Sequence, residues 1–176
     1  MPAHHAPDQE RPSVLTLCTG NAARSVMAGI MLADAAARVV TAGTFVVEGQ
    51  PMSRRTRDAL TAAGFDSFPA HRSHQLTDAD VDGADLIIAM AGEHVAYVRR
   101  RHPEAAGRTA TIRRLVRDLS DGPGSLVERV AALGLATTEI ESWEDVEDPA
   151  GGEDEVYVSC AKELAQLTAE LAPRLR

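Results

Sequence analysis

Cys18 and Arg24 are separated by five residues, Thr19-Gly20-Asn21-Ala22-Ala23, and Ser25 follows the arginine directly. A thiolate can attack phosphorus, and a guanidinium fork can hold two phosphate oxygens at once. The adjacent hydroxyl can donate a hydrogen bond to the sulfur anion. A loop this short can curl until successive backbone N–H groups point at one centre and form an anion nest. Such curling needs positive φ, which Gly20 permits and Asn21 tolerates. A cysteine beneath the nest sits in a field that favours thiolate over thiol. The chemistry implied is attack on a tetrahedral phosphoryl group, leaving a phosphocysteine.

The elements around the loop give the spacing its meaning. Val14-Leu15-Thr16-Leu17 reads as a short buried strand, and the Ala-, Met- and Leu-rich stretch from Ser25 to about Arg38 as a helix. In open α/β sheets ligands bind outside the carboxyl end of a strand, which is where Cys18 falls. A second strand is expected at Val39–Ala42 and a helix over Ser53–Ala63, with Ser53 as N-cap and Gly64 as terminator. Asp85–Met90 is a third, fully buried strand, followed by helix over Glu93–Arg101 and a short strand at Ala110–Ile112. Helix is expected again near Leu126–Leu133 and from Asp154 almost to Pro173. The last helix carries an apolar stripe at Val156, Cys160, Leu164, Leu167 and Leu171, in which Cys160 is a small buried residue. Strands alternating with helices predict an α/β sandwich, a parallel sheet covered on both faces.

Composition bounds the remaining possibilities. A chain of 176 residues, 44% apolar and 25% charged, suits one domain over residues 13–176 and is too short for a (β/α)₈ barrel. Residues 1–12 are polar and Pro-rich, and are expected to form a mobile N-terminal tail. No apolar run is long enough to span a bilayer and no signal-peptide core is visible, so a cytoplasmic protein without a membrane partner is expected. A net charge of −8 argues against nucleic acid as partner. The charge is segregated. Seven arginines and one acid lie between Arg99 and Arg117, and nine acids and no base between Glu139 and Glu155. Both runs read as solvated faces, or as a rim that steers charged partners. Two cysteines, Cys18 and Cys160, do not make a disulfide scaffold.

The segment Cys18-x-Gly20-Asn21-x-x-Arg24-Ser25 after the first strand resembles the opening of the low-molecular-weight protein tyrosine phosphatase family, bacterial type. The resemblance runs from Val14 to about Leu171. It includes Thr41-Ala42-Gly43-Thr44, Ala70-His71-Arg72-Ser73, the strand Ala84–Met90, and Asp148-Pro149 ahead of the final helix. It implies a four-stranded parallel sheet flanked by helices, with Cys18 as nucleophile and Arg24 as phosphate clamp. Thr19, Gly20, Asn21, Ala22, Ala23 and Ser25 complete the phosphate-binding loop. By the same resemblance Asp148 is the general acid and base, and Asn21, Ser25, Thr41 and His71 support the loop by hydrogen bonds. Pro149 would restrict Asp148 to an extended conformation and aim its carboxylate. The implied substrate is a phosphorylated protein or a small phosphomonoester, with no cofactor and no metal. His71-x-x-His74 could pair on a metal, but no third ligand stands near in the sequence.

Three positions depart from the family pattern. Ala23 stands where many members have a second cysteine, so Cys18 is expected to oxidise past sulfenic acid more readily. Ala150, followed by Gly151-Gly152, replaces an aromatic residue that stacks on phosphotyrosine, and Ala22 replaces a bulkier side chain. Both open the pocket. Members that act on phosphoarginine also have glycines after Asp-Pro, although with threonine in place of Ala22, so protein-arginine phosphatase is one alternative. Arsenate reduction on the same fold is another. Ala91–Leu119 lacks the further cysteines of the thioredoxin-coupled type, which leaves only a small external thiol. A non-catalytic phosphate-binding module would need neither Cys18 nor Asp148.

Overall fold

The computed structural model describes residues 11–176. Its elements are β1 (Ser13–Cys18), α1 (Arg24–Ala35), β2 (Arg38–Gly43), α2 (Arg54–Ala62), α3 (Asp78–Asp82), β3 (Leu86–Ala89), α4 (Gly92–Arg101), β4 (Thr109–Thr111), α5 (Ile112–Asp118), α6 (Leu126–Ala131) and α7 (Asp154–Leu171). The strands form one parallel sheet in the order β2-β1-β3-β4. From β1 the chain crosses to one side for β2, then returns to the other side of β1 for β3. The order therefore reverses between β1 and β3, and a crevice opens at their carboxyl ends. Cys18 is the last residue of β1.

Alternation along the strands divides the core in two. Val14, Cys18, Leu86, Ile88 and Met90 belong to one buried cluster with Met27, Met31 and Leu32 of α1 and Leu164 and Leu171 of α7. Leu15, Leu17 and Ile87 belong to the other, with Val81 of α3 and Val98 of α4. Successive strand residues face opposite sides, so each face needs its own helical cover. A Cβ added to Gly29, inside α1, would lie 2.5 Å from Thr41 Cγ2 and 3.2 Å from Thr16 Oγ1. A glycine in mid-helix costs stability, and here it lets α1 lie against β1 and β2.

Of the expected tail, residues 1–10 lie outside the described residues. Arg11 and Pro12 are tied to β2, their carbonyls accepting from Arg38 Nε (3.3 Å) and Arg38 N (2.9 Å). Ser53 caps α2 and Gly64 follows with φ +94°, as the sequence suggests. In α7 Val156 is 38% exposed, and the buried stripe is Cys160, Ala161, Leu164, Thr168 and Leu171. Polar Thr168 fits because its hydroxyl donates to Leu164 O at 2.7 Å.

The expectation of two solvated charge runs needs correction. Arg114 is buried and binds Glu144 (2.5 Å), Glu141 (3.1 Å) and Asp118 (3.2 Å), and Thr111 Oγ1 donates to the other oxygen of Glu144. Arg113 pairs with Glu163, and Arg99 Nη2 donates to Leu135 O and Thr138 O. The guanidinium groups of Arg117 and Arg114 lie over the Trp143 ring. Arg114 is thus the point where the basic run meets the acidic run, while Asp148, Glu153 and Asp154 pair instead with Arg24 and with Arg54 and Arg55 of α2. Arg100 and Arg101 remain exposed.

Candidate active site

The expected site side chains come from β1, α1, β2 and the loop between β1 and α1, except those of His71, in the segment between α2 and α3, and Asp148. Asp148 arrives from the turn before α7. The loop from Cys18 to Arg24 turns at Asn21, whose φ of +49° is the one positive value at a non-glycine residue among the described residues. Of the two residues that the sequence offered for a positive φ, Asn21 takes it and Gly20 does not. Backbone N–H groups of Gly20, Asn21, Ala22 and Ala23 have no protein acceptor among the described residues. Ala23, the N-cap of α1, makes no side-chain cap, whereas Ser53, Thr77, Thr111 and Ser125 cap α2, α3, α5 and α6. Uncapped N–H groups at a helix N-terminus are the donors an oxyanion needs.

The loop is held from behind by a connected set of hydrogen bonds. His74 N donates to Asn21 Oδ1 at 2.9 Å, which fixes the orientation of the amide. Asn21 Nδ2 then donates to Ser25 Oγ (2.9 Å) and Thr41 Oγ1 (3.0 Å). Ser25 Oγ, already accepting, can turn its own hydrogen to Cys18 Sγ, 3.0 Å away. Thr16 Oγ1 donates to Ser25 O at 2.8 Å, and His71 Nε2 donates to Asn21 O at 2.8 Å. Burial lowers the pKa of His71, partly offset by this hydrogen bond. His74 itself pairs with Asp80 at 2.7 Å, so both rings of the possible metal pair have protein partners. Among the described residues no group of three ligand-type side chains could hold a metal.

Arg24 is 4% exposed and reaches Val146 O through Nη1 (3.1 Å) and Asp148 Oδ2 through Nη2 (3.3 Å). Ala150 N donates to Asp148 Oδ1 at 3.1 Å, so the carboxylate is aimed by the turn that Pro149 begins. Cys18 and Ser25 are buried, while the Asp148 side chain is 51% exposed. Thiol, guanidinium and carboxyl group thus run from the interior to the surface.

Sequence reasoning missed His94. Its Nδ1 accepts from Ala91 N (3.1 Å), which leaves the proton on Nε2 to donate to Thr19 Oγ1 (2.9 Å). Thr19 Oγ1 in turn reaches Glu93 Oε1 at 3.4 Å. Burial, and next the nearby Arg24, push the His94 pKa down to about 3, so the ring is neutral. The available signal was position, because Gly92-Glu93-His94 opens the helix after the central strand β3. Also missed was Thr56, whose hydroxyl donates to Ala22 O at 3.3 Å.

The sequence model of low molecular weight phosphotyrosine protein phosphatases matches residues 13–126. A protein-arginine-phosphatase of Geobacillus stearothermophilus is 32% identical over 166 residues, covering 93% of this chain and 95% of the relative. The structure of the YwlE arginine phosphatase of the same organism superposes with a TM-score of 0.71 at 31% identity, covering 92% and 90% of the two chains. That of a low molecular weight protein tyrosine phosphatase from T. tengcongensis gives a TM-score of 0.71 at 31% identity, covering 91% and 97%.

Proposed function

The chain belongs to the low molecular weight phosphotyrosine protein phosphatase family of hydrolases, and from that membership we propose that Cys18, Arg24 and Asp148 carry its reaction. The thiolate of Cys18 attacks phosphorus, forming an S–P bond as the bond to the leaving group breaks. Asp148 protonates the departing atom. Water then attacks the phosphocysteine and gives its proton to Asp148, and the S–P bond breaks to return the thiolate and release phosphate. Free N–H groups of the loop and the α1 N-terminus face the charge that builds on the phosphoryl oxygens.

The observation that carries this reading is the convergence of Ser25 Oγ on Cys18 Sγ at 3.0 Å and of Arg24 on Asp148 at 3.3 Å. An arriving phosphoryl dianion competes with Asp148 for the guanidinium of Arg24.

The substrate is a phosphorylated side chain of a protein. Phosphotyrosine is the first reading, supported by Phe45, which is 84% exposed and tied by its N–H to Thr19 O at 3.0 Å. Phosphoarginine is the second. It is supported by the absence of bulk at Ala150-Gly151-Gly152 and by the exposed acids Glu93 and Asp148 at the loop, which suit a cationic leaving group. Initial rates on matched phosphotyrosine, phosphoarginine and phosphoserine peptides, with chelator present, test the assignment. Turnover of one of the first two, lost by at least about 10³-fold in Cys18→Ser, is expected. Undiminished turnover by Cys18→Ser contradicts it.

A further inference from the structure

The turn that carries Asp148 has little packing of its own: from Ala150 to Val156 no residue is buried, and Gly151 sits at φ +82°. Besides the pairing of Asp148 with Arg24, two arginines in the first turn of α2 reach it; Arg54 Nη2 lies 3.7 Å from Asp154 Oδ2, and the closer contacts are those of its neighbour. Arg55, in the first turn of α2, donates from Nη1 to Gly152 O (2.6 Å) and from Nη2 to Glu153 Oε2 (2.9 Å). Its Nε lies 2.8 Å from Asp154 Oδ1. Three nitrogens of one planar group thus engage three consecutive residues, which fixes the orientation of the segment as well as its distance. The next residue, Thr56, is fully buried and bonds to Ala22 O of the phosphate-binding loop. The same turn of α2 therefore holds the loop that binds phosphate and the segment that carries the carboxyl group.

We propose that Arg55 is a positioning residue for the proton donor, acting through residues 152–154 to hold Asp148 in line with the Cys18 loop. This rests on Asp148 being the general acid. The ion pairs are partly exposed, with Arg55 37% and Glu153 80% accessible, so they add little to stability. Proton transfer is far more sensitive, since displacement by an ångström can cost about 10²-fold in rate. A proton donor matters most when the leaving group is basic, so its misplacement is read in leaving-group dependence and not in overall loss.

The test compares Arg55→Gln, Arg55→Lys and Asp148→Asn with the parent on phenyl phosphate and 4-nitrophenyl phosphate, by kcat/KM, with inhibition by inorganic phosphate measured alongside. Arg55→Gln should lose about tenfold on phenyl phosphate and less than about threefold on 4-nitrophenyl phosphate, with phosphate inhibition unchanged. Arg55→Lys should fall between, and Arg55→Gln should add nothing further in the Asp148→Asn background. Equal losses on both substrates, or none, overturn the role of Arg55. Equal losses in Asp148→Asn overturn the general-acid assignment itself, which separates the two failures. If Arg55→Gln does not fold, the pair Glu153→Gln and Asp154→Asn removes two of the contacts from the other side and must show the same selectivity.

Discussion

The proposed mechanism needs Cys18 as a thiolate, and Ser25, backed by Asn21, is placed to hydrogen-bond that sulfur. Ser25 can give its hydrogen to the sulfur because Asn21 supplies the hydrogen bond that Ser25 Oγ accepts. Asn21 does this from a positive φ, so one asparagine sets both the curl of the loop and the direction of the hydroxyl. His94 ordinarily titrates near 6.5 and is pushed down to about 3, by burial first and Arg24 second. Below pH 6.5 the unfolded chain takes up a proton that the folded His94 refuses until about pH 3. Stability therefore falls on acidification through that window, by up to about 1.4 kcal/mol per pH unit from this residue. His71, also lowered by burial, acts in the same sense. Urea melts from pH 6.5 to 5 should show a steeper loss for the parent than for His94→Gln, and equal slopes would refute this. Oxidation gives a second residue-scale prediction. Burial, and then Glu163, push the Cys160 thiol up to about 12, and Ala23 offers no sulfur. A protonated, buried thiol cannot resolve a sulfenic acid. Mild peroxide should carry Cys18 to sulfinic acid, and a Cys18–Cys160 disulfide in the mass spectrum would contradict that.

At the scale of elements, the strands were legible in the sequence because both faces of the sheet are covered, which makes buried runs such as Leu86-Ile87-Ile88-Ala89 continuous. Helix ends were legible where a side chain caps them, as Ser53 does for α2. They were not where tertiary contacts decide. Helix α1 stops at Ala35, before the expected Arg38, because Arg38 is already paired with Ser13 in the sheet. Short α5 begins within the expected strand Ala110–Ile112, where Thr111 turns its hydroxyl to cap Arg114 N. The contact of α1 with the sheet is tight at Gly29. Gly29→Ala places a methyl 2.5 Å from Thr41 Cγ2, and Thr41 also accepts from Asn21 Nδ2. Despite alanine's better helix propensity, this variant should lose about 1–3 kcal/mol in chemical denaturation. A gain in stability would mean that the packing has room to spare.

Over the whole molecule, the proposed site joins distant parts of the chain: the loop at residues 18–25 meets Asp148 through Arg24. The loop could be read because its members are contiguous. Arg55 and the carbonyl of Val146 could not, since no local pattern marks a partner tens of residues away, and for His94 only its position after β3 was a signal. The charge runs misled for the same reason, because a sequence shows how charges are spaced but not which ones meet. Where they do meet, at Arg114 with Glu141 and Glu144, the contact is structural. Glu144 is 2% exposed and bound by Arg114, Thr111 and its own turn, so Glu144→Ala leaves Arg114 buried without its main partner. A loss of about 3–5 kcal/mol is expected by thermal or chemical melting, and much less when Arg114→Met and Glu144→Leu are combined. A loss under about 1 kcal/mol for the single variant would show the pair to be a solvated contact after all. Among the described residues no helix is long and apolar enough to cross a membrane. The most direct measurement is chemical. With Asp148 as the proposed base, Asp148→Asn should slow the release of phosphate from sulfur, so mixing that variant with 4-nitrophenyl phosphate, quenching rapidly and digesting should find one phosphoryl group on the peptide containing Cys18. A phosphoryl group on any other residue, or nitrophenol released in a burst with Cys18 left unmodified, would contradict covalent catalysis by this cysteine.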